Sequence, residues 1–340
     1  MIEFFSGLVA VLMWLPFSFL ALVQGVYLNV FDRDVYLAQV SEPGIVFSFK
    51  QAELLGLNPR EVFLNLLDEL KPGYLRVIAY WDRIESEKDR YNFSELDFQL
   101  IEAEKRKIKT TLVVGEKVPR WPECHYPNWF SGLDSQAEKQ KQTTEYLELL
   151  INRYENTLGL ELWQLENEPF LDFGECPKVD TDFFKQKLSL LKGLSSKPVM
   201  VTASGELDSW LRAFVYGDQI GFSIYRRFFV SLPKFRFGLD YPLPPRFYKI
   251  KSEFFRIFFK KPVMVTEFQL EPWLQKTLKD ASLEDQFKEL SFEKFGRQVD
   301  YAQKTGIKRI YFWGSEWWWY LKQNNHPEFL DYVRKNIFLL

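Results

Sequence analysis

Histidine is nearly absent: His125 and His326 are the only two in 340 residues. Both fall in segments that read as loops, and surface placement is the simpler reading for each. Metal-dependent barrel hydrolases recruit several imidazole ligands, so no metal is expected. No glycine-rich phosphate loop follows an early strand, which removes the nucleotide-binding class, and no cofactor is expected. Neither sign of charge is in excess. The 44 Lys and Arg against 46 Asp and Glu leave −2, so no polyanionic partner, nucleic acid included, is implied. Internal repeats, low-complexity tracts and a second domain are also missing. Cysteine is limited to Cys124 and Cys176, which are either a disulfide or two unrelated thiols.

A long apolar run occurs at the amino terminus. Phe4 to Val23 carry no charge and match the length of about 20 residues that spans a bilayer. Residues 1–27 therefore read as a hydrophobic helix serving either as a transmembrane anchor or as a cleaved signal peptide, with Val23-Gln24-Gly25 near a cleavage point. Glu3 without any neighbouring Lys or Arg weakens the signal-peptide reading and leaves orientation unset. Either reading favours export: a membrane-anchored protein with an extracytoplasmic domain, or a secreted one. Residues 28–43 read as a linker and 44–340 as one domain, expected to be a monomer.

Within that domain strands and helices alternate strictly. Leu160, Leu162 and Gln164 point one way and Glu161, Trp163 and Leu165 the other, the period of a strand, which Pro169 ends because proline has no N–H for a ladder. Similar runs occur at 44–49, 74–81, 108–114, 199–203, 220–225, 263–266 and 307–313. Helices are read between them, one starting at Asn58-Pro59 with Asn as cap and Pro at the first position. The segment 231–245 reads as an irregular loop, and 283–305 as one long helix. Eight strands with helical crossovers in about 300 residues predict an α/β fold, a (β/α)8 TIM barrel, over the doubly wound alternative.

The carboxyl ends of barrel strands converge on one basin. There the sequence places Arg76 and Trp81 from strand two, Glu116 and Lys117 from strand three, and Asn167 and Glu168 from strand four. Tyr225 comes from strand six, Glu267 from strand seven, and Trp313 from strand eight with Glu316 just beyond. Paired carboxylates are what glycoside hydrolysis requires: one protonates the leaving oxygen, the other attacks the anomeric carbon or activates water. Arg76 is placed to keep Glu267 ionised, Tyr225 to donate to it, and Trp313 to lie under a sugar ring. Each has a plainer reading: a structural ion pair for Arg76, packing for Tyr225 and Trp313. Glu316 with Trp317–Trp319 reads equally as a subsite or an aromatic loop; Trp121 and Trp129 are similar. Glu116 and Lys117 read as a sugar-contacting pair or a surface pair. The loops carrying Cys124 and Cys176 follow neighbouring strands, so a disulfide closing roughly 50 residues is expected.

With Asn167-Glu168-Pro169 ending strand four and Glu267 ending strand seven, the chain from about Gly44 resembles the clan A glycoside hydrolases, the retaining (β/α)8 superfamily that includes cellulase-like and β-galactosidase-like families. The resemblance implies Glu168 as general acid/base, Glu267 as nucleophile, and Asn167 on the sugar 2-hydroxyl. Arg76, Tyr225 and Trp313 match positions recurring in many members. Strand three ends Gly115-Glu116-Lys117 and strand six Ser223-Ile224-Tyr225, where many cellulase-like members carry histidines, so no family within the clan is assigned. The expected activity is retaining hydrolysis of a β-linked glycan or oligosaccharide by double displacement, with the carboxyl groups about 5–5.5 Å apart. The competing reading is a catalytically inactive, membrane-tethered carbohydrate-binding barrel. The sugar, the linkage and the choice of endo or exo action do not follow from the residues.

Overall fold

Short strands buried on both faces need helices against one side and a packed interior on the other, and a closed parallel barrel supplies both. In the computed structural model, which describes residues 40–232, 235–274 and 276–339, the strands in chain order are β1 (Glu42–Val46), β2 (Tyr74–Ile78), β3 (Lys109–Val114), β4 (Leu160–Leu165), β5 (Val199–Ser204), β6 (Gln219–Ile224), β7 (Arg227–Leu232), β8 (Phe235–Asp240), β9 (Val263–Gln269) and β10 (Arg309–Trp313). Eight of them close in the order β1-β2-β3-β4-β5-β6-β9-β10, each parallel to its neighbours. The remaining two, β7 and β8, pair antiparallel as a hairpin. The anchor or signal expected at 1–27 lies outside the described residues. Among those described, no helix is long and apolar enough to cross a membrane.

Two apolar layers result. Val46, Ile78, Val113, Leu162, Met200, Met264 and Tyr311 fill the barrel interior. Their strand neighbours, such as Val77, Leu112, Trp163, Val201, Val265 and Phe312, face the helical shell. The alternation holds from Leu162, in the interior, through Trp163 and Leu165, in the shell; Leu160 packs in the shell as well, because the β3–β4 register shifts between Thr110 and Thr111. Cap chemistry also holds: the Asn58 side chain accepts from the Glu61 N–H, and Pro59 opens the helix to Leu70.

Several boundaries differ from the sequence reading. The first strand is 42–46 rather than 44–49, because Ser48 caps a helix at Phe49–Leu54. The loop read at 231–245 contains most of the β7–β8 hairpin. The helix read at 283–305 is two, Leu283–Glu289 and Phe292–Lys304, because the Ser291 hydroxyl accepts from the Lys294 N–H and restarts the helix.

Cys124 and Cys176 form a disulfide with Cα atoms 5.4 Å apart, tying the loop after β3 to the loop after β4. Its sequence separation of 52 corresponds to about 4 kcal/mol in the chain-entropy account. We expect Cys124→Ser/Cys176→Ser to lower the urea midpoint while leaving the barrel folded. An unchanged midpoint would show that the crosslink restrains nothing in the unfolded chain.

Candidate active site

The backbone turns sharply as β4 ends. Glu166 and Glu168 adopt left-handed conformations, φ 58° and 42°, on either side of Asn167. Such strain costs on the order of 1–3 kcal/mol per residue and persists only where surroundings over-determine it. Here they do. The Glu166 N–H donates to the Val114 carbonyl at 2.8 Å, the Asn167 N–H to the Lys117 carbonyl at 2.7 Å, and the Glu168 N–H to Thr202 Oγ1 at 2.8 Å. Gly115, at φ 123°, leaves the space that Glu166 Cγ fills. Asn167 and Glu168 are thereby turned over the barrel mouth.

Glu267, near the end of β9, is buried and held at both oxygens. Arg76 Nη1 donates to Oε1 at 2.6 Å, and the Tyr225 hydroxyl to Oε2 at 2.8 Å. Arg76 is fully buried inside the barrel. Its Nε reaches Gln164 Oε1 at 2.8 Å and its Nη2 Asn167 Oδ1 at 3.0 Å. Arg76 therefore positions the carboxylate and the amide around it.

Glu168 sits in a different setting. Ser223, directly opposite Glu267 in the β6–β9 register, donates from Oγ to Glu168 Oε1 at 2.5 Å. Burial, and after it the negative charge of Glu267, push the Glu168 carboxyl up to about 7. One basin thus holds a carboxylate bound by a cation and a phenol, and a second carboxyl that keeps its proton near neutral pH.

A third carboxyl, not singled out from the sequence, lies beside them. Glu123, from the loop after β3, accepts from Asn167 Nδ2 at 3.0 Å. The same loop carries Arg120, whose guanidinium lies 3.9 Å over the Trp313 ring and pairs with Glu271 and Glu316.

That arrangement corrects several expectations. Trp313 is not an open floor for a sugar, because Arg120 covers it and its indole N–H donates to Glu271 at 2.7 Å. Glu316 is fully buried in the helix Ser315–Gln323 and accepts from Arg120 and the Ser48 N–H, so it is neither an open subsite nor part of an aromatic loop. Trp81 opens the helix Trp81–Ile84 and turns outward onto Tyr146, with ring centroids 4.6 Å apart, so it belongs to the shell and not to the basin. Glu116 pairs with Lys187 on the helix Thr181–Leu194, behind the rim. Lys117 donates to the carbonyls of Glu168 and Leu171 and shapes the next loop. Trp129 donates to the Glu85 carbonyl and packs on Trp81. His125, read as a surface residue, is buried, and its Nε2 lies 3.0 Å from the Arg120 carbonyl.

The aromatics left at the mouth are Trp121, 63% exposed, then Phe173, Trp273 and Tyr225, each in contact with the next. They come from the loops after β3, β4 and β9 and from the residue following β6, and offer apolar faces to a ligand above the carboxyls. Among the described residues no group of three or more His, Cys, Asp or Glu side chains is placed to hold a metal ion.

No protein-family profile matches the chain, and a search of curated proteins finds no match. Solved structures do resemble it. Native xylanase 10B from Thermotoga maritima is 17% identical with a TM-score of 0.53, over 82% of this chain and 83% of that one. GH5_18 from Streptomyces cattleya, in complex with GlcNAc, is 11% identical with a TM-score of 0.55, over 81% and 70%. The β-galactosidase from Rahnella sp. R3 is 11% identical with a TM-score of 0.52, over 81% of this chain and 50% of that one. At these identities the likeness establishes the fold alone, a (β/α)8 barrel shared with structures of xylanases and β-galactosidases.

Proposed function

We propose that this protein is a retaining β-glycoside hydrolase in which Glu267 is the nucleophile and Glu168 the general acid/base. The observation that carries this reading is the contrast between the two carboxyls. Glu267 is bound by Arg76 and Tyr225, while Glu168 is raised to about 7 in the same basin. A Glu267 oxygen attacks the anomeric carbon as the bond to the leaving oxygen breaks, and the Glu168 proton goes to that oxygen. Glu168, now a carboxylate, then takes a proton from water, and the water oxygen displaces Glu267 from the sugar. Two inversions at one carbon give net retention. Xylanase and β-galactosidase activities among structures of the same fold support a β-linked substrate. The disulfide supports an extracytoplasmic location, reached by way of the apolar segment at 1–27.

The pH dependence tests the assignment. Protonated Glu168 is the active form, so kcat/KM on a β-glycoside with a poor leaving group should fall as pH rises through about 7. In Glu168→Gln that limb should vanish along with most activity on this substrate. A limb that survives in Glu168→Gln would assign the proton to another group. Wild-type protein that binds oligosaccharide without cleaving any aryl β-glycoside would instead fit an inactive binding barrel.

A further inference from the structure

Glu123 is buried in the basin, and the mechanism above gives it nothing to do. We propose that Glu123 is a third carboxyl group of the active site, which fixes the Asn167 amide and binds the sugar hydroxyl on the carbon next to the reacting one. This rests on the assignment of Glu267 as nucleophile.

Three observations carry it. Asn167 Oδ1 accepts from Arg76 Nη2 at 3.0 Å, and Asn167 Nδ2 donates to Glu123 Oε2 at 3.0 Å. The amide is therefore clamped in one sense, oxygen to the cation and nitrogen to the carboxyl, and the second Nδ2 hydrogen remains for a ligand. Glu123 also stands among the reacting groups. Burial first, and then the charge of Glu267, raise its carboxyl above the ordinary range, with Glu168 adding in the same direction. A strut that only held Asn167 would need no titratable group in so acidic a place.

The third observation is how firmly the loop holds it there. Glu123 is left-handed at φ 74°, a strained position for a residue with a side chain. Its N–H donates to the Arg120 carbonyl at 2.7 Å, and its carbonyl accepts from the Val118 N–H at 2.8 Å. The next residue is the disulfide-bonded Cys124. Opposite lies Gly174, at φ 87°, where an added Cβ would come within 2.7 Å of Glu123 Cβ. Two loops, a crosslink and a glycine thus aim one carboxyl at the basin.

The position selects the hydroxyl. Glu267 attacks the anomeric carbon, with Tyr225 on one oxygen and Arg76 on the other. Asn167 and Glu123 follow Arg76 in the hydrogen-bonded chain that starts at Glu267, and Tyr225 is not a member of that chain. One ring neighbour of the reacting carbon is the ring oxygen, so the ring hydroxyl nearest to that carbon, and the one this chain would meet, is on its carbon neighbour. No hydrogen bond occupies Glu123 Oε1 among the described residues, so a protonated Glu123 can donate from it.

The test uses 2,4-dinitrophenyl β-xyloside, β-glucoside and β-galactoside with their 2-deoxy counterparts. Glu123→Ala should lower kcat/KM on the cleaved parent glycosides by about 10²-fold, since bonds to the 2-hydroxyl strengthen in the transition state. On the 2-deoxy counterparts the loss should be below about threefold, because the hydroxyl is already gone. Glu123→Gln, which keeps an oxygen for Asn167, should lie between wild type and Glu123→Ala on the parents and equal wild type on the deoxy substrates. Equal losses on both substrate sets, or none on either, overturn the proposal; if Glu123→Ala does not fold, Glu123→Gln decides by the same ratio. Labelling wild type with an activated 2-fluoro glycoside keeps the two readings apart. A label on Glu267 without the hydroxyl signature removes the Glu123 role alone. A label elsewhere removes the nucleophile assignment beneath it.

Discussion

Glu267→Ala should lower kcat by about 10⁴–10⁶-fold on every β-glycoside the protein cleaves, whatever the leaving group, because it removes the attacking atom. Glu168→Ala should behave differently. It should cost most on poor leaving groups, which need the proton, and little in the first step on dinitrophenyl glycosides. Azide separates the two roles further. In Glu267→Ala it enters the vacated face, displaces the leaving group once and gives the inverted α-glycosyl azide. In Glu168→Ala the glycosyl-enzyme still forms, and azide, which needs no general base, attacks it to give the β-glycosyl azide. Product anomers read by NMR decide the matter. Swapped anomers would exchange the two assignments, and full activity in Glu267→Ala would end the nucleophile reading.

What was legible in the sequence was local. The apolar run from Leu160 to Leu165 is a property of a few consecutive residues, and the structure reproduces it as β4; the strand ends at Leu165, where the chain turns left-handed at Glu166, and not at Pro169. Arg76, Glu267 and Tyr225 meet because each lies on or directly after a barrel strand, and barrel closure brings strand ends together. The loop after β3 had no period to read. Glu123 and Arg120 reach the basin only because a disulfide, a left-handed turn at each residue and the fit against Gly174 fold that loop inward. The loop is rich in proline and tryptophan, and that composition does not say which side chains it delivers. Trp81 was misplaced for a related reason: the strand reading ran through it, whereas the chain turns into a short helix there and tips the indole outward. Trp313 was placed correctly at its strand end, but no sequence signal said that Arg120 would lie on it.

The Arg76–Glu267 pair should show a large and unusual pattern of stabilities. Arg76→Met removes the donor to Gln164, Glu267, Asn167 and the Thr266 carbonyl at once, deep inside the barrel. Breaking a buried ion pair from one side costs about 3–5 kcal/mol, because the remaining charge stays buried without its partner. Domains are stable by only about 5–15 kcal/mol, so this variant should sit near the limit of folding. Glu267→Gln should destabilise less, since Arg76 keeps three other acceptors. The informative variant is Arg76→Met/Glu267→Gln. With both charges gone no uncompensated ion remains, and the double variant should recover at least about 1.5 kcal/mol relative to Arg76→Met alone while remaining inactive. Urea denaturation of the four proteins closes the cycle. Losses that simply add would show that Arg76 contributes through packing and neutral hydrogen bonds, and that the nucleophile does not depend on its charge.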